Sequence, residues 1–122
     1  MAEFDNNKPI YLQIAEVLMD RIVDGTYRAD ERIPSVREYA AQVEVNFNTV
    51  ARSFEWLQNR ELIYNKRGVG YFVAPQARER ILEMRWESFF STEVDYFFSR
   101  LETFGVAPDE LENMYFKYLN NK

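Results

Sequence analysis

Ile33-Pro34-Ser35-Val36-Arg37-Glu38, Val45-Asn46-Phe47-Asn48-Thr49-Val50 and Leu62-Ile63-Tyr64-Asn65-Lys66-Arg67-Gly68-Val69-Gly70-Tyr71-Phe72-Val73 follow one another within a short span of this chain. In the first segment Ser35 and Glu38 have the spacing of a capping box, in which each side chain satisfies an orphan backbone N–H at the other's position. This predicts a helix over Val36–Val43, with Val36, Tyr39, Ala40 and Val43 toward the core. In the second segment Asn46 is a good N-cap for a helix over Phe47–Gln58. On a helical wheel Phe47, Val50, Phe54 and Leu57 fall on one side, and Asn48, Arg52, Glu55 and Asn59 on the other. Phe47 lies at the apolar edge, so packing is expected of it. In the third segment two short β-prone runs flank a turn in which Gly68 and Gly70 permit positive φ, with Lys66 and Arg67 at the tip.

Helix, tight turn, helix and basic hairpin is the order of a winged helix-turn-helix. Such a unit can place one helix in the DNA major groove and the hairpin tip on the neighbouring backbone. Asn48 and Arg52 stand a turn apart on the face the core does not use. An Asn side chain suits adenine, and an Arg fork suits guanine or phosphate. Thr49, near its helix N-terminus, can reach phosphate oxygens. Taken singly, each piece has a plainer reading: a solvated helix face, a surface arginine or a simple β-turn. Their joint order carries the functional reading.

Working outward, a first helix is predicted from about Pro9 to Asp24. Ile10, Ile14, Val17, Leu18 and Ile22 recur at helical spacing, and Gly25 closes it. Arg32-Ile33 is placed to pair briefly with the hairpin. Beyond Pro75 a long helix is predicted over Gln76–Phe104. Trp86, Phe90, Val94, Phe97, Leu101 and Phe104 step by fours and threes along it, close to a heptad seam. Gly105 stops it, and Pro108 starts a last helix with Leu111, Met114, Tyr115, Tyr118 and Leu119 as its stripe. The fold class is therefore mainly α with a small β-hairpin: a winged helix-turn-helix over 1–75, then a two-helix tail over 76–122. The tail holds 10 of the 20 aromatic residues, and aromatic side chains favour interface centres. A segment this small is not expected to enclose a ligand cavity, so the seam reads as a homodimer interface.

Composition excludes much else. The chain has no Cys and no His, which removes disulfides, thiol chemistry, the usual transition-metal ligands and the commonest general base. Glu79, Glu83 and Glu87 form a row that lacks the His of a di-metal site, and they read as a solvated face. No enzyme, metal or cofactor is expected. No apolar run approaches a membrane span, and Met1–Asp5 lacks a signal core, so a cytoplasmic protein is expected. Net charge is −5, but Asn46–Val73 carries Arg52, Arg60, Lys66 and Arg67 against Glu55 and Glu61. A local positive face on an acidic chain implies weak general affinity for DNA and reliance on the right sequence. The acidic balance also leaves open a winged-helix protein-interaction module that does not bind DNA.

Pro9-Ile10-Tyr11-Leu12-Gln13-Ile14, Ile33–Glu38, the Val45-Asn46-x-Asn48-Thr49-Val50 turn and Leu62-Ile63-Tyr64-x-Lys66-Arg67-Gly68-x-Gly70 closely resemble the GntR family of bacterial transcription regulators. The short tail resembles the YtrA-type subfamily. The resemblance implies a dimeric reader of a two-fold, palindromic operator in double-stranded DNA, usually a repressor. It puts DNA contacts on Arg37, Asn46, Asn48, Thr49, Arg67 and Gly68; with Ser35, Arg52 and Lys66 these make the expected contact set. Many family members carry arginine where this chain has Phe47 and Ala51. The family usually has glycine where this chain has Glu61, which implies positive φ there. A small-molecule effector of unnamed chemistry is expected in an aromatic-lined gap between the tail and the first helix.

Overall fold

Phe54 has no exposed surface, and its ring meets the edges of Tyr39 and Tyr71 at centroid distances of 6.3 and 5.1 Å. These three rings join the second helix, the third helix and the hairpin. The computed structural model describes residues 7–122, so the reading of Met1–Asp5 falls outside the described residues. The element order is α1 (Ile10–Val23), α2 (Val36–Val43), α3 (Phe47–Asn59), β1 (Ile63–Lys66), β2 (Gly70–Val73), α4 (Ala77–Ser88), a π-helical segment (Phe89–Val94), α5 (Asp95–Phe104) and α6 (Pro108–Asn120). This is a mostly helical winged helix-turn-helix followed by C-terminal helices.

The chain divides into two compact units, Met1–Glu83 and Met84–Lys122. In the first, α1 packs along α3 and buries Ile14, Ala15, Leu18, Met19 and Ile22. Ile10, predicted in that stripe, is exposed because it stands in the first turn, beyond the end of the packed face. The buried Ser53 hydroxyl donates to the Tyr11 carbonyl at 2.6 Å and to the Thr49 carbonyl at 3.2 Å, tying the start of α1 to α3. The two strands pair antiparallel, Ile63 opposite Val73 and Lys66 opposite Gly70. Arg32 bridges to Phe72, as the sequence suggested. Ala77 and Ile81 are buried in the same core, which carries the first unit past Pro75 to Glu83.

Among the described residues three that are not glycine have positive φ: Asp30 (φ 63), in the connection before α2, and two that flank α3. Glu44 (φ 56) lets the chain reverse between α2 and α3, and Glu61 (φ 59) caps α3, as the family resemblance implied. The Leu62 N–H then bonds the Leu57 carbonyl at 3.0 Å. Each such non-glycine αL residue costs about 1 kcal/mol.

In the second unit the helical run has no Gly or Pro, but it is not one regular α-helix. The π segment interrupts it at Phe89–Val94. The hydroxyls of Thr92 and Ser91 donate to the Ser88 carbonyl at 2.6 and 3.2 Å. They draw on a carbonyl that the α-ladder would use, the situation in which such widened turns form. The extra residue in the turn shifts the phase of everything beyond it. The residues from Trp86 to Phe104 therefore do not lie along one regular α-helix: Val94 turns inward, at 9% exposure, and Leu101 is half-buried, while Trp86, Phe90, Phe97 and Phe104 are exposed.

Replacing Phe54 with Ala is expected to cost about 3–5 kcal/mol through cavity formation. Glu61→Gly is expected to gain about 1 kcal/mol by relieving the αL position, because the exposed Glu61–Arg80 pair it removes contributes little. Urea unfolding monitored by circular dichroism measures both.

Candidate nucleic-acid interface

The N-terminus of α3 is built by its cap. The Asn46 Oδ1 accepts the Asn48 N–H at 2.8 Å, and the Thr49 and Val50 N–H groups bond the Asn46 carbonyl. Burial of Val50, Ser53, Phe54 and Leu57 fixes the roll of the helix. Asn48 and Arg52 consequently face outward and are exposed, as the wheel predicted. Thr49 is half-buried between the two faces. Phe47 departs from the expectation of packing: it is 47% exposed. As the first residue of the helix it projects beyond the stretch of α3 that packs on the core.

Asn48, Thr49 and Arg52 come together with Pro9, Ile10 and Tyr11 around an open depression of about 470 Å³. Within it the Arg52 guanidinium carbon lies 4.0 Å from the centre of the Tyr11 ring. An exposed cation–π contact of this kind is worth about 0.5–1 kcal/mol, enough to bias the rotamer. Arg37, exposed in the first turn of α2, lies over the Phe47 ring at 5.7 Å. Two of the expected contact arginines are therefore stacked on aromatic rings next to the start of α3.

Ser35 is engaged in its own cap. Its Oγ accepts the Glu38 N–H at 3.0 Å, and the Glu38 carboxylate accepts the Ser35 N–H at 2.9 Å. The Ser35 backbone and side-chain hydrogen bonds hold the Glu38 carboxyl below its ordinary value, with the Arg32 charge adding to them. At the wing, Lys66 sits over the Phe72 ring at 4.6 Å, and Arg67 and Gly68 form the exposed tip. Gly68 has φ 80 and open space around an added Cβ, so only backbone strain limits substitution there.

Arg32 is the residue that the sequence reading assigned no side-chain role. Its Nε donates to the Val69 carbonyl at 3.2 Å, and its Nη2 lies 3.6 Å from the Glu38 carboxylate. It thus ties the wing tip to the capping box of α2. A Cβ on Gly70 would meet the Arg32 Nε at 2.9 Å, so glycine at 70 makes room for this strap. Only an arginine entering the short bridge to β2 hinted at the role.

The second unit carries a different surface. Phe89, Phe97 and Phe98 on one side and Leu111, Met114 and Tyr115 on the other line an open apolar groove of about 570 Å³. The aromatic side chains project from the helices without closing on one another, so this is an open groove and not an enclosed cavity. Val94 is the one large hydrophobic of this unit, among the described residues, that is classed as buried. Of the six seam residues, Val94 and Phe97 line the groove; the Trp86 and Phe90 rings meet at a tilt of 42° with centroids 5.7 Å apart, and Phe104 lies under Arg100.

A winged helix-turn-helix whose third helix and hairpin leave polar, cationic side chains outside the core belongs to the class of DNA-binding regulators. Residues 10–73 match the family described as "Bacterial regulatory proteins, gntR family". The chain belongs to the GntR family of transcription regulators. It is 30% identical over 109 residues to the uncharacterised HTH-type regulator YhcF of Bacillus subtilis, covering 89% of this chain and 88% of that one. It is also 30% identical over 78 residues to the HTH-type transcriptional repressor YtrA of the same organism, covering 64% and 60%. A crystal structure of a GntR-family regulator from Bacteroides thetaiotaomicron superposes with a TM-score of 0.80 at 49% identity, covering 93% of this chain and 98% of that one. The DNA-binding domain of AraR, solved in complex with an operator, superposes at 0.54 with 31% identity over 61% of this chain and 87% of its own. These relatives are regulators and repressors, not enzymes, and no helix among the described residues is long and apolar enough to cross a membrane.

Glu38 supplies a pH test. Because its carboxyl is depressed in the folded state, its contribution is present above the ordinary carboxylate value and is lost as pH falls through the depressed one. Glu38→Gln keeps an acceptor for the Ser35 N–H but removes the titration. Wild-type stability is expected to fall more steeply than that of the variant on acidification through this window, as thermal melts across a pH series would show.

Proposed function

We propose that this chain is a homodimeric repressor of a two-fold symmetric operator, with residues 1–75 as the DNA-binding part and residues 76–122 as the pairing part. Helix α3 enters the major groove by its N-terminal half. Asn48 and Arg52 address base edges, and Asn46 and Thr49 lie against the backbone beside them. Arg37 and the Ser35 end of α2 anchor on phosphate, and Lys66, Arg67 and Gly68 bring the wing to the neighbouring backbone or minor groove. The observation that carries this reading is the outward polar face of α3 beside a capped helix start, with Arg52 already stacked in place on Tyr11. AraR's DNA-binding domain, a relative of the same fold, is one that binds an operator.

Pairing rests on the tail. Trp86, Phe89, Phe90, Phe97, Phe98 and Met114 are all exposed in a unit with almost no buried core. An apolar surface of that kind marks an interaction face. A second copy of the same segment is its natural occupant, because symmetric association puts equivalent patches together and sets half-site spacing by helical turns. In a bacterial regulator this activity belongs in the cytoplasm, with the chromosome.

In mobility-shift titrations on a duplex selected from a random pool, Arg52→Ala is expected to lose about 1–3 kcal/mol and to relax preference at one base position. Lys66→Ala is expected to weaken all sequences alike and to reduce the salt slope by about one. Unchanged affinity in both variants would contradict the groove placement, and a protein that selects no duplex would favour the interaction-module reading. Phe97→Glu is expected to yield monomers by analytical ultracentrifugation and to lower operator affinity at least tenfold. Dimers of unchanged affinity would remove the tail from the interface.

A further inference from the structure

We propose that Phe47 is a specificity-determining residue that reads the C5-methyl group of a thymine. Phe47 is the first residue of α3, is 47% exposed, and makes no part of the buried core. Its helix is already capped by Asn46, so the ring is not needed for the helix to start. Its neighbours in sequence, Asn46, Asn48 and Thr49, are polar, and about half of the side chain faces solvent. The ring is nonetheless held, because the Arg37 guanidinium lies 5.7 Å from its centre. An ordered apolar side chain at the N-terminal tip of a major-groove helix meets base edges first. In that groove the thymine methyl is the distinct apolar feature among hydrogen-bonding groups, and Phe is one of the side chains that contact it. Ala51, one turn further along and only half-buried, is too short to compete for the same place. Arg37 acts as the positioning residue: its guanidinium sits over the ring and has donors to spare for a neighbouring phosphate.

This inference rests on the DNA reading above, and one experiment separates the two. A duplex selected by the wild-type protein from a random pool is resynthesised with each thymine singly replaced by deoxyuridine, which removes the methyl and leaves every hydrogen-bonding group. Wild-type protein is expected to lose about fourfold in affinity at one thymine of each half-site, the equivalent of one buried methyl group. Phe47→Ala is expected to bind the thymine and uracil duplexes alike, and Phe47→Leu to retain part of the difference. Both variants should melt as the wild type does, since the side chain lies outside the core. Equal wild-type binding of thymine and uracil duplexes overturns the proposal and leaves the DNA reading intact. A uracil penalty that persists unchanged in Phe47→Ala assigns the methyl to another residue and overturns it as well. Failure to select any duplex overturns both.

Discussion

Burial of one face of α3 is the constraint from which the rest of this structure follows. Val50, Ser53, Phe54 and Leu57 are withdrawn from water; Phe54 is held by Tyr39 from α2 and Tyr71 from the hairpin, and Ser53 by the Tyr11 carbonyl from α1. With that side of the cylinder fixed, the opposite side has nowhere to go but outward. Asn48 and Arg52 are exposed for this geometric reason. The Ser53 hydroxyl links fold and site most directly, because it sits on α3 and bonds the residue whose ring stacks under Arg52. Core packing and presentation of the polar face are two consequences of one set of contacts.

A second layer of order comes from cations on aromatic rings and from a single strap. Arg37 on Phe47, Arg52 on Tyr11 and Lys66 on Phe72 each limit a long side chain that would otherwise sample many rotamers. Each contact is weak, and together they lower the entropy lost when such a surface meets a partner. Arg32 does the same for the backbone, holding the wing tip at Val69 against the capping box of α2. An acidic chain cannot rely on net charge to hold nucleic acid. Ordering its few cations in advance is the physical alternative, and that is what these contacts do.

The legible parts of the sequence were those governed by local rules. Ser35 and Glu38 specify the start of α2 because the capping box is a four-residue affair, and its bounds came out as Val36–Val43. Asn46, Gly105 and Pro108 marked helix ends for the same reason, and the positive φ at Glu61 followed from the family resemblance. Phe47 was misread because a helical wheel gives an angle and not a depth: the residue has the right direction for packing but stands at the end of the helix, past its packed neighbours. The break in the tail helix was not legible because stepping by fours and threes assumes an unbroken α-ladder, and the hydroxyls of Ser91 and Thr92 widen that ladder. Arg32 was missed because its contacts reach across the fold to Val69.

The central claim is that the start of α3 and the wing tip are the surfaces that meet DNA. Backbone amide resonances followed by NMR while a selected operator duplex is titrated in would test it without altering any side chain. Shifts concentrated at Asn46–Arg52 and Lys66–Val69 are the result this account predicts. Shifts confined to Met84–Lys122, with the start of α3 undisturbed, would contradict it.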